Sequence, residues 1–324
     1  MFVGMKSVFL ACALAVVMGC AHVTSHPEAP STLGVAPSGS LDALVDQDGP
    51  LTVETVVGAE WVVPLSGLLN LDHPAAKAAH LKDHDEPIVV VFHAVHHPSR
   101  GTYLIDTGVE HALFDDPDHA AVRGLVASVA HTDRMMRVND TRFWLSRQPA
   151  PPSGVFLTHL HFDHIAGMAD VPAGTPVFAG PGEATERSFQ NVFVEGSTDR
   201  ALAGKPPIAT WQFAKDPDGA FEGIIDVFGD GSFFALHVPG HTPGSTAYVA
   251  RTTTGPILFT GDACHTVWGW KNGVEPGSFS SDRPRSAVSL ERLRRFAAKH
   301  PRMRVRVGHQ LLEDPVIAPG IESR

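Results

Sequence analysis

Cysteine is scarce: three residues in a chain of 324, too few to build a disulfide framework. There is no run of Lys and Arg, and the formal net charge is -10, which argues against nucleic acid as a partner. No internal repeat of solenoid length occurs, which excludes a stacked-repeat architecture. What remains is ordinary globular material, 43% hydrophobic and 19% charged, long enough for one large core or two small domains. Histidine is the exception. Nineteen of them prompt a search for metal ligands, although most are expected at the surface or in turns, as His96 and His97 are in the run His93–Gly101.

The first specific signal is at the N-terminus. One charge, Lys6, precedes the apolar run Val8–Met18. That run is too short to span a bilayer, so Met1–Gly19 reads as a signal peptide. It ends in Val17-Met18-Gly19-Cys20, which resembles the bacterial lipobox. The resemblance implies cleavage before Cys20 and acylation of its thiol. Ala21 stands where an aspartate would signal retention at the inner membrane. By resemblance to that sorting rule, the expected place is the outer membrane, facing the periplasm. Cys12 leaves with the peptide and Cys20 carries lipid. Cys264 is then alone, and the mature domain has no internal disulfide. Residues 20–50 are rich in Pro, Ser, Gly, Thr and Asp, with little periodicity. They are expected to form the lipidated cysteine and a flexible tether. The domain itself is expected over 51–324.

From Leu51 the chain reads as short β-rich runs. Ile88–Phe92 and Gly101–Ile105 flank a turn and predict a hairpin. Further strands are expected at Val155–Leu157, Thr175–Ala179, Phe233–Val238, Thr246–Ala250, Pro256–Thr260 and Met303–Val307. Residues 110–144 read as helical or irregular, with Leu125, Val126, Val129, Met135, Met136, Phe143 and Trp144 expected in the core. Val288, Leu290, Leu293, Phe296 and Ala297 recur at helical spacing over 286–300, an amphipathic helix. Many strands with helices at intervals predict stacked sheets covered by helices, an αβ sandwich.

The chemistry concentrates in Thr158-His159-Leu160-His161-Phe162-Asp163-His164, directly after a short apolar strand. Alternate residues of extended chain point the same way, so His159 and His161 can address one metal. The following turn can present Asp163 and His164 to a second. Imidazole and carboxylate suit zinc and similar divalent ions. Unpaired, such a cluster would be a costly group of buried polar side chains. His241, in Gly240-His-Thr-Pro-Gly244, Asp262, in Thr260-Gly-Asp262, and His309, in Val307-Gly-His309, each follow an expected strand.

Taken in order, Asp106-Thr-Gly108, His159-x-His161-x-Asp163-His164, His241, Asp262 and His309 resemble the metallo-β-lactamase superfamily over roughly residues 51–312. The resemblance implies the superfamily's αββα sandwich, an α/β (α+β) fold of two mixed sheets flanked by helices. It also implies two divalent ions, zinc first, with manganese, cobalt or iron as alternatives. His159, His161 and His241 would hold one ion, Asp163, His164 and His309 the other, and Asp262 would bridge them. Two adjacent metals would supply an activated water for hydrolysis near neutral pH, with Asp163 orienting it or carrying its proton. Cys264 is a bystander in that scheme.

The intervals between ligands are most similar to those of N-acyl-homoserine lactonases. The implied activity is opening of a lactone or cleavage of an ester in a small-molecule substrate. A phosphotriesterase and a thioesterase of the glyoxalase II kind are the alternatives, and a non-catalytic metal-binding surface lipoprotein is a third. One departure matters. Those lactonases carry a tyrosine three residues after the bridging aspartate, and here that residue is His265. It either donates the corresponding hydrogen bond in catalysis or faces water as a loop residue. Trp268 and Trp270 either wall the substrate pocket or pack over the sheet. The membrane is reached only through the lipid, and oligomeric state is left open.

Overall fold

A computed structural model of the chain describes residues 21–188 and 191–312. The expected signal peptide and Cys20 lie outside the described residues. Two mixed sheets dominate. The larger has eight strands. In spatial order these are β2 (Glu28–Pro30), β10 (Ile208–Thr210), β8 (Val177–Ala179), β7 (Gly154–Phe156), β5 (Gly101–Ile105), β4 (Asp85–His97), β3 (Thr52–Pro64) and β6 (Met136–Arg137). The smaller runs in chain order through β11 (Ile224–Asp226), β12 (Phe233–His237), β13 (Thr246–Thr252), β14 (Gly255–Phe259) and β15 (Arg304–Arg306). A separate two-stranded ribbon joins β1 (Ala21–His22) to β9 (Arg187–Ser188). Among the described residues no helix is long and apolar enough to cross a membrane.

The sheets pack face to face because both sides of their central strands are apolar. On β12, Phe233 and Ala235 point between the sheets, while Phe234 and Leu236 point outward. This is the two-residue period of a strand buried on both faces. Phe156 stacks on Phe233 at 5.4 Å, and Phe233 stacks on Tyr248 at 5.5 Å. The Tyr248 hydroxyl donates to the Leu157 carbonyl across the layer at 2.8 Å. Outside the smaller sheet lie α1 (Leu41–Leu44) and α10 (Arg283–Lys299), which bury Leu41, Leu293 and Phe296 against it. Asp282 caps α10 by accepting from the Arg285 amide. Outside the larger sheet, α6 (Thr141–Ser146), α7 (Phe162–Ile165) and α8 (Asn191–Ala201) contribute Trp144, Ile165 and Ala201 to its core. Short helices α2 (Leu65–Leu68), α3 (Pro74–Ala78), α4 (Ala112–Asp115), α5 (Gly124–Ala130) and α9 (Val267–Asn272) complete the αββα layers.

Three expectations need correction. Residues 21–50 are not a tether. β2 extends the larger sheet, parallel to β10, and Val23, Leu41 and Val45 are buried. Strands of two and three residues and three apolar anchors leave no periodic signal to read. Within 110–144 only part of the apolar set is core: Met135 and Trp144 are buried, but Leu125, Val129, Met136 and Phe143 are exposed. His97 is no turn residue. It ends β4, buried, with Nε2 2.8 Å from the Asp230 carboxylate.

Candidate metal centre

Five of the seven ligands expected from the sequence leave the end of a strand. His159 and His161 follow β7, which lies inside the larger sheet. Asp163 and His164 sit on the single turn of α7. His241 follows β12, Asp262 follows β14 and His309 follows β15. Two glycines make the convergence possible. At Gly240 the backbone adopts φ +141°, and a Cβ would lie 2.2 Å from the Ser286 amide nitrogen. At Gly308 a Cβ would lie 2.3 Å from Asp262 Oδ1. Any side chain at 308 would displace the Asp262 carboxylate.

The seven side chains form two groups, His159–His161–His241–Asp262 and Asp163–His164–His309, each with its ligand atoms within 4.8 Å of one another. Asp262 joins them. Its Oδ2 lies 3.7 Å from His159 Nε2, 3.4 Å from His241 Nε2, 3.3 Å from His164 Nε2 and 3.3 Å from His309 Nε2. Asp163 Oδ2 is 3.4 Å from His309 Nε2. His161 turns its Nδ1 toward His241 Nε2 at 2.9 Å. Of these residues only His161 and Asp163, with Phe162 between them, are partly exposed. The open edge of the site is therefore on α7.

The far nitrogens of the rings are held by the protein. His164 Nδ1 meets Asp106 Oδ2 at 2.8 Å, and Asp106 also accepts from the Thr158 amide. Asp106 keeps a left-handed φ of +56° to do so, a local strain of the kind that collects at working sites. His241 Nδ1 lies 3.1 Å from Ser280 Oγ, and His309 Nδ1 lies 3.1 Å from the Val89 carbonyl. Such partners fix ring orientation and leave the opposite nitrogen to the metal. Glu183, buried, joins the two loops that carry the first ligand group. Its Oε2 accepts from the Leu160 amide at 3.0 Å, and its Oε1 accepts from the Gly244 amide at 2.9 Å and from the Thr242 hydroxyl.

Burial pushes the pKa values of His159, His161 and His241 down, so these rings are neutral and able to ligate. Burial opposes charge at Asp262 too, but His265, His309 and His164 overcome it and hold the carboxylate ionised. At His164 burial is likewise outweighed, by the carboxylates of Asp262, Asp106 and Asp163.

Cations fit this donor set. His159 Nε2, His164 Nε2 and Asp262 Oδ1 are buried and have no hydrogen-bond partner, an arrangement that costs free energy unless something else satisfies them. Ligand atoms 2.9–3.9 Å apart suit pairs that each lie about 2 Å from a shared ion. Nitrogen and oxygen donors without thiolate suit zinc, manganese, cobalt or iron.

A family model of the metallo-beta-lactamase superfamily matches residues 87–309. The chain belongs to the metallo-beta-lactamase superfamily. It is 30% identical over 223 residues to the N-acyl homoserine lactonase AttM of Agrobacterium fabrum, covering 67% of this chain and 80% of that protein. Among solved structures it resembles AidC, described as a dizinc quorum-quenching lactonase (TM-score 0.57, 17% identity, 85% of this chain and 94% of that one). It also resembles a quorum-quenching N-acyl homoserine lactone lactonase (TM-score 0.54, 18% identity, 81% and 94%). At those identities the likeness is one of fold.

Against this superfamily background the remaining expected residues sort themselves. His265 does not face water. It is buried, its Nδ1 donates to the Leu68 carbonyl at 2.8 Å, and its Nε2 lies 3.0 Å from Asp262 Oδ2. It braces the Asp262 carboxylate and also lies within ligand range of Asp262 and His309. Trp268 packs against Leu65, Leu69 and Val274, and Trp270 packs in the clusters under α10. Both indoles are half-buried in these contacts. Phe279, in contrast, is exposed and turns its ring edge-on to His265 at 6.4 Å. Cys264 is buried and its thiol is pushed up to about 12 by burial, an inert group. The sequence reading missed Glu183, Ser280 and Phe279. For Glu183 the only signal was a lone acidic residue in Pro181-Gly182-Glu183, after β8.

Proposed function

We propose that this chain is a dinuclear metal-dependent hydrolase that opens lactone rings, working outside the cytoplasm. The observation that carries the reading is the intact set of seven converging ligands with three buried atoms unsatisfied. The lactone preference is supported by the relation to AttM across most of that protein's length. Two divalent ions, with zinc favoured, supply Lewis acidity and a water of lowered pKa.

The chain's own residues supply the rest. Asp262 would hold both ions, and His265 keeps its carboxylate in place. Asp163, on the open edge, accepts a proton on its carboxylate when water adds to the acyl carbon, and returns it to the ring oxygen as the C–O bond breaks. Asp106, Ser280 and the Val89 carbonyl keep the imidazoles from turning. The N-terminal pattern ending in Cys20 supports export and a lipid anchor in the outer membrane, with the domain in the periplasm.

The test is a substrate panel on protein loaded with zinc, cobalt or manganese, with metal content measured in parallel. N-acyl homoserine lactones of several tail lengths, a thioester, a phosphotriester and a β-lactam make up the panel. Lactones turned over at least about tenfold better than the rest, in kcat/KM, is the expected result. A phosphotriester in first place would replace the lactonase reading. Stoichiometric metal without turnover of any substrate would leave a metal-binding lipoprotein.

A further inference from the structure

The lipid anchor was expected to be joined to the domain by some thirty loose residues. The structure removes that slack. Ala21 and His22 pair with Ser188 and Arg187. Val23 and Thr24 are buried, and Thr24 and Ser25 are bound through their hydroxyls to Asp199 of α8. Adjacent Cα atoms are about 3.8 Å apart, so a lipid on Cys20 begins beside a residue fixed in the fold. An anchor without slack fixes which face of the domain meets the bilayer.

That face has an unusual surface. β1 packs against α8, and α8 packs against α5 and α7. The exposed side of α8 carries Val192 (48% exposed) and Phe193 (49%). α5 has the sequence Gly-Leu-Val-Ala-Ser-Val-Ala, with no charge, yet none of its residues is buried. Leu125 is 62% exposed and Val129 71%. An uncharged, mostly apolar helix is normally covered by protein or by lipid. Both helices belong to the surroundings of the anchor.

We propose that the face formed by α5 and α8 lies on the bilayer to which Cys20 is tied. The docking also orients the metal centre. Phe162, between the ligands His161 and Asp163, packs against the same apolar cluster as Val126, Ala127 and Ala130 of α5, and α7 and α5 both pack on α8. The open edge of the site therefore meets the lipid surface. Resting on the lactonase reading, this assigns the substrate class: an amphiphilic lactone whose long acyl tail partitions into the membrane and is presented from it.

The test uses full-length protein made with its own leader, the Cys20 modification being read by mass spectrometry. The protein is reconstituted in phosphatidylethanolamine–phosphatidylglycerol vesicles. Val129→Cys carries an environment-sensitive fluorophore, and Val288→Cys, exposed on α10 across the sandwich, is the control. Cys264 is too buried to take the label. Nitroxide lipids should quench the label at 129 several-fold more than the label at 288. Equal quenching, or an unmodified Cys20, overturns the proposal. Shielding at 129 that grows with protein concentration and ignores nitroxide lipid also overturns it, in favour of a second copy of the chain.

A second arm reads turnover. Leu125→Glu with Val129→Glu should lower kcat/KM for a dodecanoyl lactone in vesicles by about tenfold, the scale of losing a few buried methylenes. It should leave a butanoyl lactone in buffer unchanged. Equal loss on both substrates counts against presentation from the membrane. If the parent protein turns over neither lactone, the lactonase reading falls and the quenching result still decides the docked face.

Discussion

The ligand end of the sandwich and the face formed by α5 and α8 treat their side chains in opposite ways. At the ligand end, charged and polar groups are buried, and nearly every ring nitrogen not aimed at a metal has a protein partner. On the α5–α8 face, apolar groups are exposed and no charge lies on α5. Each region breaks the usual partition of polar outside and apolar inside. The departures teach the same lesson: an unsatisfied surface, polar or apolar, marks where something outside the polypeptide belongs. At one end the donor set suits a pair of cations, and at the other we infer lipid.

The sharpest way to break the comparison is at its polar end. Asp262→Asn should lower turnover by roughly a thousandfold, about 4 kcal/mol of barrier, and lower bound metal in elemental analysis. An unchanged rate would discard the two-metal scheme. Next comes the core that holds the strand ends in register. Phe233→Ala removes a ring stacked between Phe156 and Tyr248 and should cost about 3–5 kcal/mol in denaturant unfolding.

Glu183→Gln tests the buried clamp. Both carboxylate oxygens accept from N–H groups, so either orientation of the amide sets a donor against a donor. Metal affinity should fall about 10- to 100-fold, measured by chelator competition. Glu183→Asp should not restore it, because the shorter side chain reaches only one loop.

Glu110 sharpens the comparison by pH. It is a buried carboxyl away from the ligands, pushed up to about 7 by burial against the pull of the Ala121 amide. Its folded pKa lies above the unfolded one, so its contribution to stability is full below about pH 4.5 and is lost as pH rises through 7. Glu110→Gln should therefore gain on the parent chain by on the order of 1–3 kcal/mol between pH 5 and pH 8, seen as a rising difference in Tm. The smallest effect belongs to the apolar face. Val129→Ser in detergent-free buffer should change unfolding free energy by no more than about 0.5 kcal/mol, because no protein core covers that side chain.

The ligands were legible because their chemistry is written into residue type. His159, His161, Asp163 and His164 lie within six positions, and His241, Asp262 and His309 each follow a β-rich run. The αββα layering was legible from the strands and from the spacing of Leu290, Leu293 and Phe296. The supports were not. Val89 and Leu68 act through backbone carbonyls, which any residue would offer, and Ser280 is one serine among many. Glu183 is set by two loops that meet only in three dimensions.

By itself the sequence determined which atoms can bind metal and which strands can form. Tertiary structure alone decided that residues 21–50 belong to the folded body, that His265 braces Asp262, that the tryptophans of α9 are half-buried in apolar clusters, and that Leu125 and Val129 of α5 stay exposed. The physical reason is the same in each case. Ligand chemistry and strand periodicity are local properties of the chain, whereas burial and hydrogen-bond partnership depend on segments that folding brings from far along it.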